Sequence, residues 1–209
     1  MPPPYCYDYP RPSVTIDLAV FTLAEPGLRV LLIRRQKDPF AGKWALPGGF
    51  LDIDEPVEAG ARRELREETG LDVAGPVAFL GAFADPGRDP RGRTISLAHA
   101  AVVRAPAPKV SGRDDAQAAD WLDPRRPLDL AFDHDLILAA ALDWLKRGVA
   151  DGPIGLALLP EEFTDADVAA LHRALDLPGR GALPWRKRQW RAGRIAPLGE
   201  SGDRFHAVS

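Results

Sequence analysis

The spacing of apolar and polar positions divides the chain before any chemistry is considered. Residues 13–23 (SVTIDLAVFTL) and 28–33 (LRVLLI) are short, β-branched apolar runs separated by Glu25-Pro26-Gly27, which predicts two strands joined by a turn. Residues 44–47 add a short strand before Gly48-Gly49. From 56 to 69 the period becomes helical, with Pro56 suited to the first helical position and Gly70 to the left-handed residue just past the end. Strand-like runs return at 77–84 and 94–103, and more weakly at 118–122. A helix follows over 133–146, where Ile137, Leu138, Ala141, Leu142 and Leu145 form an apolar stripe. Strands with helices between and after them predict an α/β fold, a mixed sheet with helices packed against it.

The pattern changes after 146. Residues 148–153 read as a linker. Thr164 then suits the N-cap of a helix over 165–175, with Asp167 completing a capping box and Phe163 facing Val168 as a hydrophobic staple. A basic segment covers 184–191, and Gly193, Ile195 and a β-wing through Phe205 follow. The expected organisation is an extended, Pro- and Tyr-rich N-terminal extension (1–12), a main domain (13–149) and a small winged-helix-like domain (154–209), with no internal repeat.

Composition narrows the function class. The formal net charge is −3, so the molecule as a whole is not built to attract polyanions, and any nucleic-acid role needs a local basic patch. The single cysteine, Cys6, excludes an internal disulfide and fits a reducing compartment, where it is expected to be a bystander. Residues 1–5 lack the basic start and apolar run of a signal peptide, and no apolar run approaches the ~18–20 residues that span a bilayer. The expected location is cytoplasmic.

Candidate chemistry concentrates in 49–71, GFLDIDEPVEAGARRELREETGL. At about 100° per residue, Glu64, Glu67 and Glu68 share an arc of about 100° on the predicted helix. Like charges stacked this way destabilise a helix by a few tenths of a kcal/mol per pair. A hard divalent cation removes the conflict, because Mg²⁺ and Mn²⁺ take oxygen ligands. The alternative is a solvated acidic face alternating with Arg62, Arg63 and Arg66.

The spacing goes further. Gly49, five residues, Glu55, seven residues and then Arg63-Glu64-Leu65-Arg66-Glu67-Glu68-Thr69-Gly70-Leu71 match every defined position of the Nudix box. The chain resembles Nudix hydrolases from about 13 to 146. The resemblance implies an α/β/α sandwich with a mixed sheet and a Mg²⁺- or Mn²⁺-dependent hydrolase. It places the metal on Glu64, Glu67, Glu68 and the Gly49 carbonyl, has Arg63 orient a glutamate, and has Glu55 support that ion-pair network.

Pro86 lies sixteen residues past Gly70, a spacing similar to that of family members acting on ADP-ribose, as are 35–49 before the box and Ala131-Phe132-Asp133-His134 after it. The resemblance therefore implies cleavage of ADP-ribose to AMP and ribose 5-phosphate, or of a similar nucleoside diphosphate derivative. Arg34, Arg35, Arg88, Arg91 and Arg93 are candidate cations for the diphosphate, and Phe40, Phe83 and Trp44 candidate platforms for adenine. Arg35, Pro86, Arg88 and Arg93 form the expected substrate set. Similar enzymes often carry a glutamate where this chain has Ala118, so the base falls to Asp114 or Asp115. His99 and His134 are read as structural.

The tail, from Leu158-Leu159-Pro160-Glu161-Glu162-Phe163-Thr164 onward, resembles the C-terminal module of Nudix-related transcription regulators of NAD metabolism. That likeness implies an alternative function, an ADP-ribose-sensing DNA-binding regulator, with Arg186, Lys187, Arg188 and Arg191 as the nucleic-acid contacts. Arg180 and Arg194 extend the basic stretch, and Trp185 and Trp190, five apart, are expected on different helix faces. Pro178, Gly179, Gly181 and Pro184 depart from the pattern of a recognition helix. A homodimer is a family-level expectation.

Overall fold

The computed structural model describes residues 8–178, 181–199 and 203–208. Cys6, Arg180 and most of the N-terminal extension lie outside these residues. The centre of the molecule is β1 (Ser13–Ala24), flanked antiparallel by β2 (Gly27–Arg35) and parallel by β6 (Thr94–Val102). The sheet runs β3-β2-β1-β6-β5, with β3 (Trp44–Ala45) and β5 (Ala78–Phe83) at its ends. Two more strands, β4 (Gly48–Phe50) on β1 and β7 (Ala116–Leu122) on β2, complete this mixed sheet of seven strands.

A strand buried on both faces carries apolar side chains along most of its length. In β1 odd and even residues go to opposite layers. Leu18 and Val20 pack with Leu65 of α1 (Val57–Thr69), whereas Ala19 and Phe21 pack with Ile137, Leu138, Ala141 and Leu145 of α2 (His134–Asp151). The result is the expected α/β/α sandwich.

Two boundaries differ from the sequence reading. Pro56 is the N-cap of α1 in extended conformation, not its first helical residue. The helix read as ending at 146 continues to Asp151, through the predicted linker. Gly148 explains the misreading: a Cβ there would lie 2.2 Å from the Ile154 side chain, so the glycine lets α3 (Ile154–Leu158) pack against α2.

The C-terminal module continues with β8 (Glu162–Thr164), α4 (Asp165–Ala174), α5 (Ala182–Arg191), β9 (Ile195–Leu198) and β10 (Arg204–Ala207). Its three strands form an antiparallel sheet in the order β8-β10-β9. The Thr164–Asp167 capping box forms in both directions, and Phe163 and Val168 are buried. Pro184 is accommodated in the first turn of α5, where a missing N–H costs least.

Phe163, Leu171, Trp185 and Phe205 belong to the same apolar cluster as Phe21, Leu145 and Val149, so the module shares a core with the sheet. α5 also caps α2: Arg188 donates to the Ala150 carbonyl at 2.8 Å, and Trp185 and Gln189 donate to that of Gly152 at 3.3 Å each. Among the described residues, no helix is long and apolar enough to cross a membrane.

The two tryptophans of α5 are a test of this packing, being 0% and 54% exposed at 185 and 190 respectively. Trp185→Ala is expected to lower stability by about 3–5 kcal/mol, whereas Trp190→Ala stays within about 0.5 kcal/mol. Urea unfolding with far-UV circular dichroism compares them.

Candidate active site

The acidic helix carries a single cationic hub. Arg63 of α1 bonds Glu55 through Nη2 (2.6 Å) and Nε (3.1 Å), Glu64 at 2.8 Å, Glu67 at 3.0 Å and the Phe50 carbonyl at 3.1 Å. One guanidinium thus spaces three carboxylates and ties the helix to β4. The hydrogen bonds to Glu55 raise the arginine's own pKa and lower that of Glu55. Gly70 takes the left-handed conformation (φ 71°) that ends α1.

Glu68 stands apart from this hub. It is 5% exposed and accepts the Gly48 N–H at 2.9 Å. Burial pushes its carboxyl up to about 8; the Gly48 bond opposes the shift, and the charges of Glu64 and Asp17 add to it. Glu64 is also raised, chiefly by burial, with Arg63 opposing. Gly49 sits against this pair, since a Cβ there would lie 2.4–2.6 Å from the Glu64 carboxylate. Gly49, Glu64, Glu67 and Glu68 all line one cavity of about 330 Å³.

This donor set fits a hard divalent cation, being all oxygen and including a carboxylate whose pKa burial raises well above its ordinary value. Among the described residues no three carboxylate, imidazole or thiol side chains already close around one point. Arg63 engages Glu64 and Glu67, and the Gly48 amide engages Glu68.

The opposite wall is cationic and aromatic. Arg35 and Arg91 line it, with their guanidinium carbons 4.8 and 5.6 Å from the Phe132 ring centroid. Burial and the charge of Arg91 lower the pKa of Arg35. Arg91 is bidentate to Asp89 and also lies 5.4 Å from the Phe50 ring. Asp114 and Asp115 line the rim, where Lys37 meets Asp115 at 2.6 Å.

A buried polar network closes the floor. Arg88, 7% exposed, is bidentate to Asp133 (2.7–3.1 Å) and 3.4 Å from Asp17. The Asp17 carboxylate also accepts from the Ser96 hydroxyl and faces His134 Nε2 at 3.4 Å. His134 Nδ1 accepts the Leu46 N–H at 2.9 Å, and burial keeps the imidazole's pKa below its usual value.

Several expected positions need correction. Pro86 is exposed in a turn outside the cavity, and Arg93, which donates to the Ala84 carbonyl, is outside it too. Arg88 lines the cavity, but its side chain is 3% exposed and held by both Asp17 and Asp133, whereas Arg91, paired with Asp89 alone among the described residues, keeps 44% of its side chain exposed. Arg34 is turned to the Gly42 carbonyl. Phe83 and Trp44 pack on the core, and Phe40 packs edge-to-face on Phe132 at 4.9 Å; the rings that reach the cavity are Phe50 and Phe132. On α5, Arg186 pairs with Asp165 and lies over the Phe205 ring, while Lys187, Arg188 and Arg191 are exposed. His99 is structural as expected, against Phe79 and the Leu97 carbonyl.

Lys37, Phe50 and Phe132 lie in segments that carry the family resemblance but were assigned no role, and Asp17 lies outside them. Asp17 had a signal, being the one acid within the apolar run 13–23. Phe132 stands in the 131–134 segment that resembles the ADP-ribose group, and its φ of 55° is uncommon for a bulky residue.

Comparison with known proteins bears on this geometry. The sequence profile of the NUDIX domain matches residues 15–145. An ADP-ribose pyrophosphatase of Methanocaldococcus jannaschii is 37% identical over 67% of this chain and 78% of its own length. An ADPR responsive transcriptional repressor, NtrR, of Acinetobacter baylyi is 31% identical over 80% of this chain and 68% of its own. Among solved structures, a MutT/nudix family protein from Enterococcus faecalis superposes with a TM-score of 0.82 at 26% identity, covering 98% of this chain and 89% of that one. Shewanella oneidensis NrtR complexed with a 27mer DNA gives 0.75 at 25% identity, covering 94% and 93%.

The raised pKa of Glu68 gives a signed prediction for metal-free protein. A folded-state pKa near 8, above the ordinary 4.5, contributes stability at low pH that is lost as pH rises from about 4.5 to 8. His99, His134 and His172, all lowered by burial, act in the opposite direction below about 6.5. The difference between wild type and Glu68→Gln isolates the carboxyl. The two should be close in stability near pH 5, and the variant should be more stable by a few kcal/mol at pH 8. Denaturant unfolding in EDTA across this range reads the gap, and a pH-independent gap would refute the assignment.

Proposed function

The chain belongs to the NUDIX family, and from that premise we propose that it hydrolyses the diphosphate of ADP-ribose, releasing AMP and ribose 5-phosphate. The observation that carries this reading is the cavity itself, with carboxylates on Glu64, Glu67 and Glu68 facing cations on Arg35 and Arg91. The 37% identity to an ADP-ribose pyrophosphatase supports the choice of substrate.

In this reading Glu64, Glu67, Glu68 and the Gly49 carbonyl hold Mg²⁺ or Mn²⁺. Bound there, the metal would offset phosphate charge and would lower the pKa of the attacking water. Arg35 and Arg91 bind the diphosphate oxygens, and Phe50 and Phe132 offer rings for the base or ribose. Asp114 or Asp115, at the rim, accepts the water proton as its oxygen bonds to phosphorus and the bridging P–O bond breaks. Arg63 and Glu55 keep the glutamates in place. Residues 13–149 form the catalytic domain and 154–209 the winged-helix-like module.

A second reading, an ADP-ribose-responsive DNA-binding regulator, is favoured by the exposed Lys187, Arg188 and Arg191 on α5 and by the likeness to NtrR and NrtR. The two functions are compatible, because the chain keeps every carboxylate of the box.

Turnover of ADP-ribose, NADH, dinucleoside polyphosphates and nucleoside triphosphates with Mg²⁺ tests the primary reading. ADP-ribose should be preferred, and Glu67→Gln should lower kcat by about 10²-fold or more. Gel shifts at low salt should show weak binding without sequence preference, and Lys187→Ala/Arg191→Ala should reduce its salt dependence by roughly two counterions. Nanomolar, sequence-specific binding together with no turnover of any substrate would transfer the assignment to the regulator.

A further inference from the structure

We propose that His134 is a positioning residue that fixes the connection leading into β4, and with it the Gly49 carbonyl, through its hydrogen bond to the Leu46 amide. The inference rests on the reading that Gly49 and the box glutamates hold the metal.

Residues 46–47 connect β3 to β4, and 46–48 are tied to three different elements. The Leu46 N–H goes to His134 Nδ1 of α2 at 2.9 Å, the Pro47 carbonyl accepts from Leu18 N–H of β1 at 2.9 Å, and the Gly48 N–H goes to Glu68 of α1 at 2.9 Å. Strand pairing then sets Gly48 opposite Asp17 and Gly49 opposite Ile16. The first tie is a side-chain bond from outside the sheet, and Pro47 lacks an N–H with which to replace it.

The bond requires a particular imidazole. Nδ1 accepts only in the neutral tautomer with hydrogen on Nε2. Nε2 faces the Asp17 carboxylate at 3.4 Å, the arrangement that selects this tautomer. Asp17 is held by Ser96 and by Arg88, and Arg88 is bidentate to Asp133, the residue preceding the imidazole. Phe132 covers the ring at 5.3 Å. The charged groups acting on His134 are Asp17, Asp133, Arg88 and Arg35, and the first three are joined through Arg88. An apolar side chain of equal volume would fill the space but leave the buried Leu46 amide unpaired.

Three variants of the full chain separate acceptor from volume. His134→Asn puts an amide oxygen close to the position of Nδ1; His134→Gln puts its polar end near Nε2; His134→Ala has neither. Two measurements apply: amide hydrogen exchange of residues 44–50 in metal-free protein, and Mn²⁺ affinity by electron paramagnetic resonance titration. We expect the Gln and Ala variants to exchange faster and to bind Mn²⁺ about tenfold or more weakly, with Asn within about threefold of wild type on both. Equal loss in all three variants, or wild-type exchange and affinity in all three, would overturn the proposal. A wild type that binds no Mn²⁺ but keeps the predicted exchange pattern would refute the metal assignment alone and leave the positioning role supported.

Discussion

Buried negative charge at one end of the central sheet sets the terms for the rest of the molecule. Glu64, Glu68 and Asp17 share a cavity, and two of them are less than 10% exposed. Isolated carboxylates in such a place would simply take up protons. The chain instead assigns each a different partner. Arg63 serves Glu64 together with Glu55 and Glu67, Gly48 offers Glu68 a backbone N–H, and Ser96 and Arg88 serve Asp17. The Glu68 bond does not fully offset its burial, and the remaining imbalance is what a divalent cation would correct. This explains why the two glycines of β4 are needed. A Cβ at Gly49 would meet Glu64, and one at Gly48 would meet the Ile16 carbonyl and the Asp17 carboxylate. At Gly48 the fixed Ile16 carbonyl leaves no room for a side chain, and at Gly49 a side chain would push the Glu64 carboxylate from its place beside Arg63.

The parts of this arrangement visible in sequence are those carried by local spacing. The helical period of 56–69, the left-handed Gly70 and the shared arc of Glu64, Glu67 and Glu68 depend on residues within a few turns of one another, and all appear in the structure. The capping box at Thr164–Asp167 is of the same kind. The cavity's other wall is assembled from β2, the 85–93 loop and the start of α2, and there spacing could not say which arginine points inward. Arg34 and Arg35 are adjacent, so the strand sends them to opposite faces, and Arg35 alone reaches the cavity. Arg88 looked like a free cation because Asp17 and Asp133 lie 71 and 45 residues away in sequence.

Gly148 was misread for a related reason. A glycine and a proline a few residues apart, at 148 and 153, ordinarily signal a linker. Here the glycine lies inside a helix because Ile154 needs its space, a contact created by the fold. Gly155 plays a similar part, where a Cβ would lie 2.8 Å from Trp185. Both glycines serve the same junction, so the region that looked weakest in sequence is among the most closely packed in the structure.

That junction gives α2 a double role. Its N-terminal end supplies Asp133 and His134 to the cavity floor, and its C-terminal carbonyls are held by Arg188, Trp185 and Gln189 of the basic helix α5. Eighteen helical residues separate these ends by about 27 Å. Along that length the buried face, Ile137, Leu138, Ala141, Leu145 and Val149, is continuous with the sheet. A rod bonded at both ends cannot move at one end without straining contacts at the other. One element therefore links the carboxylate-lined cavity physically to an exposed basic helix.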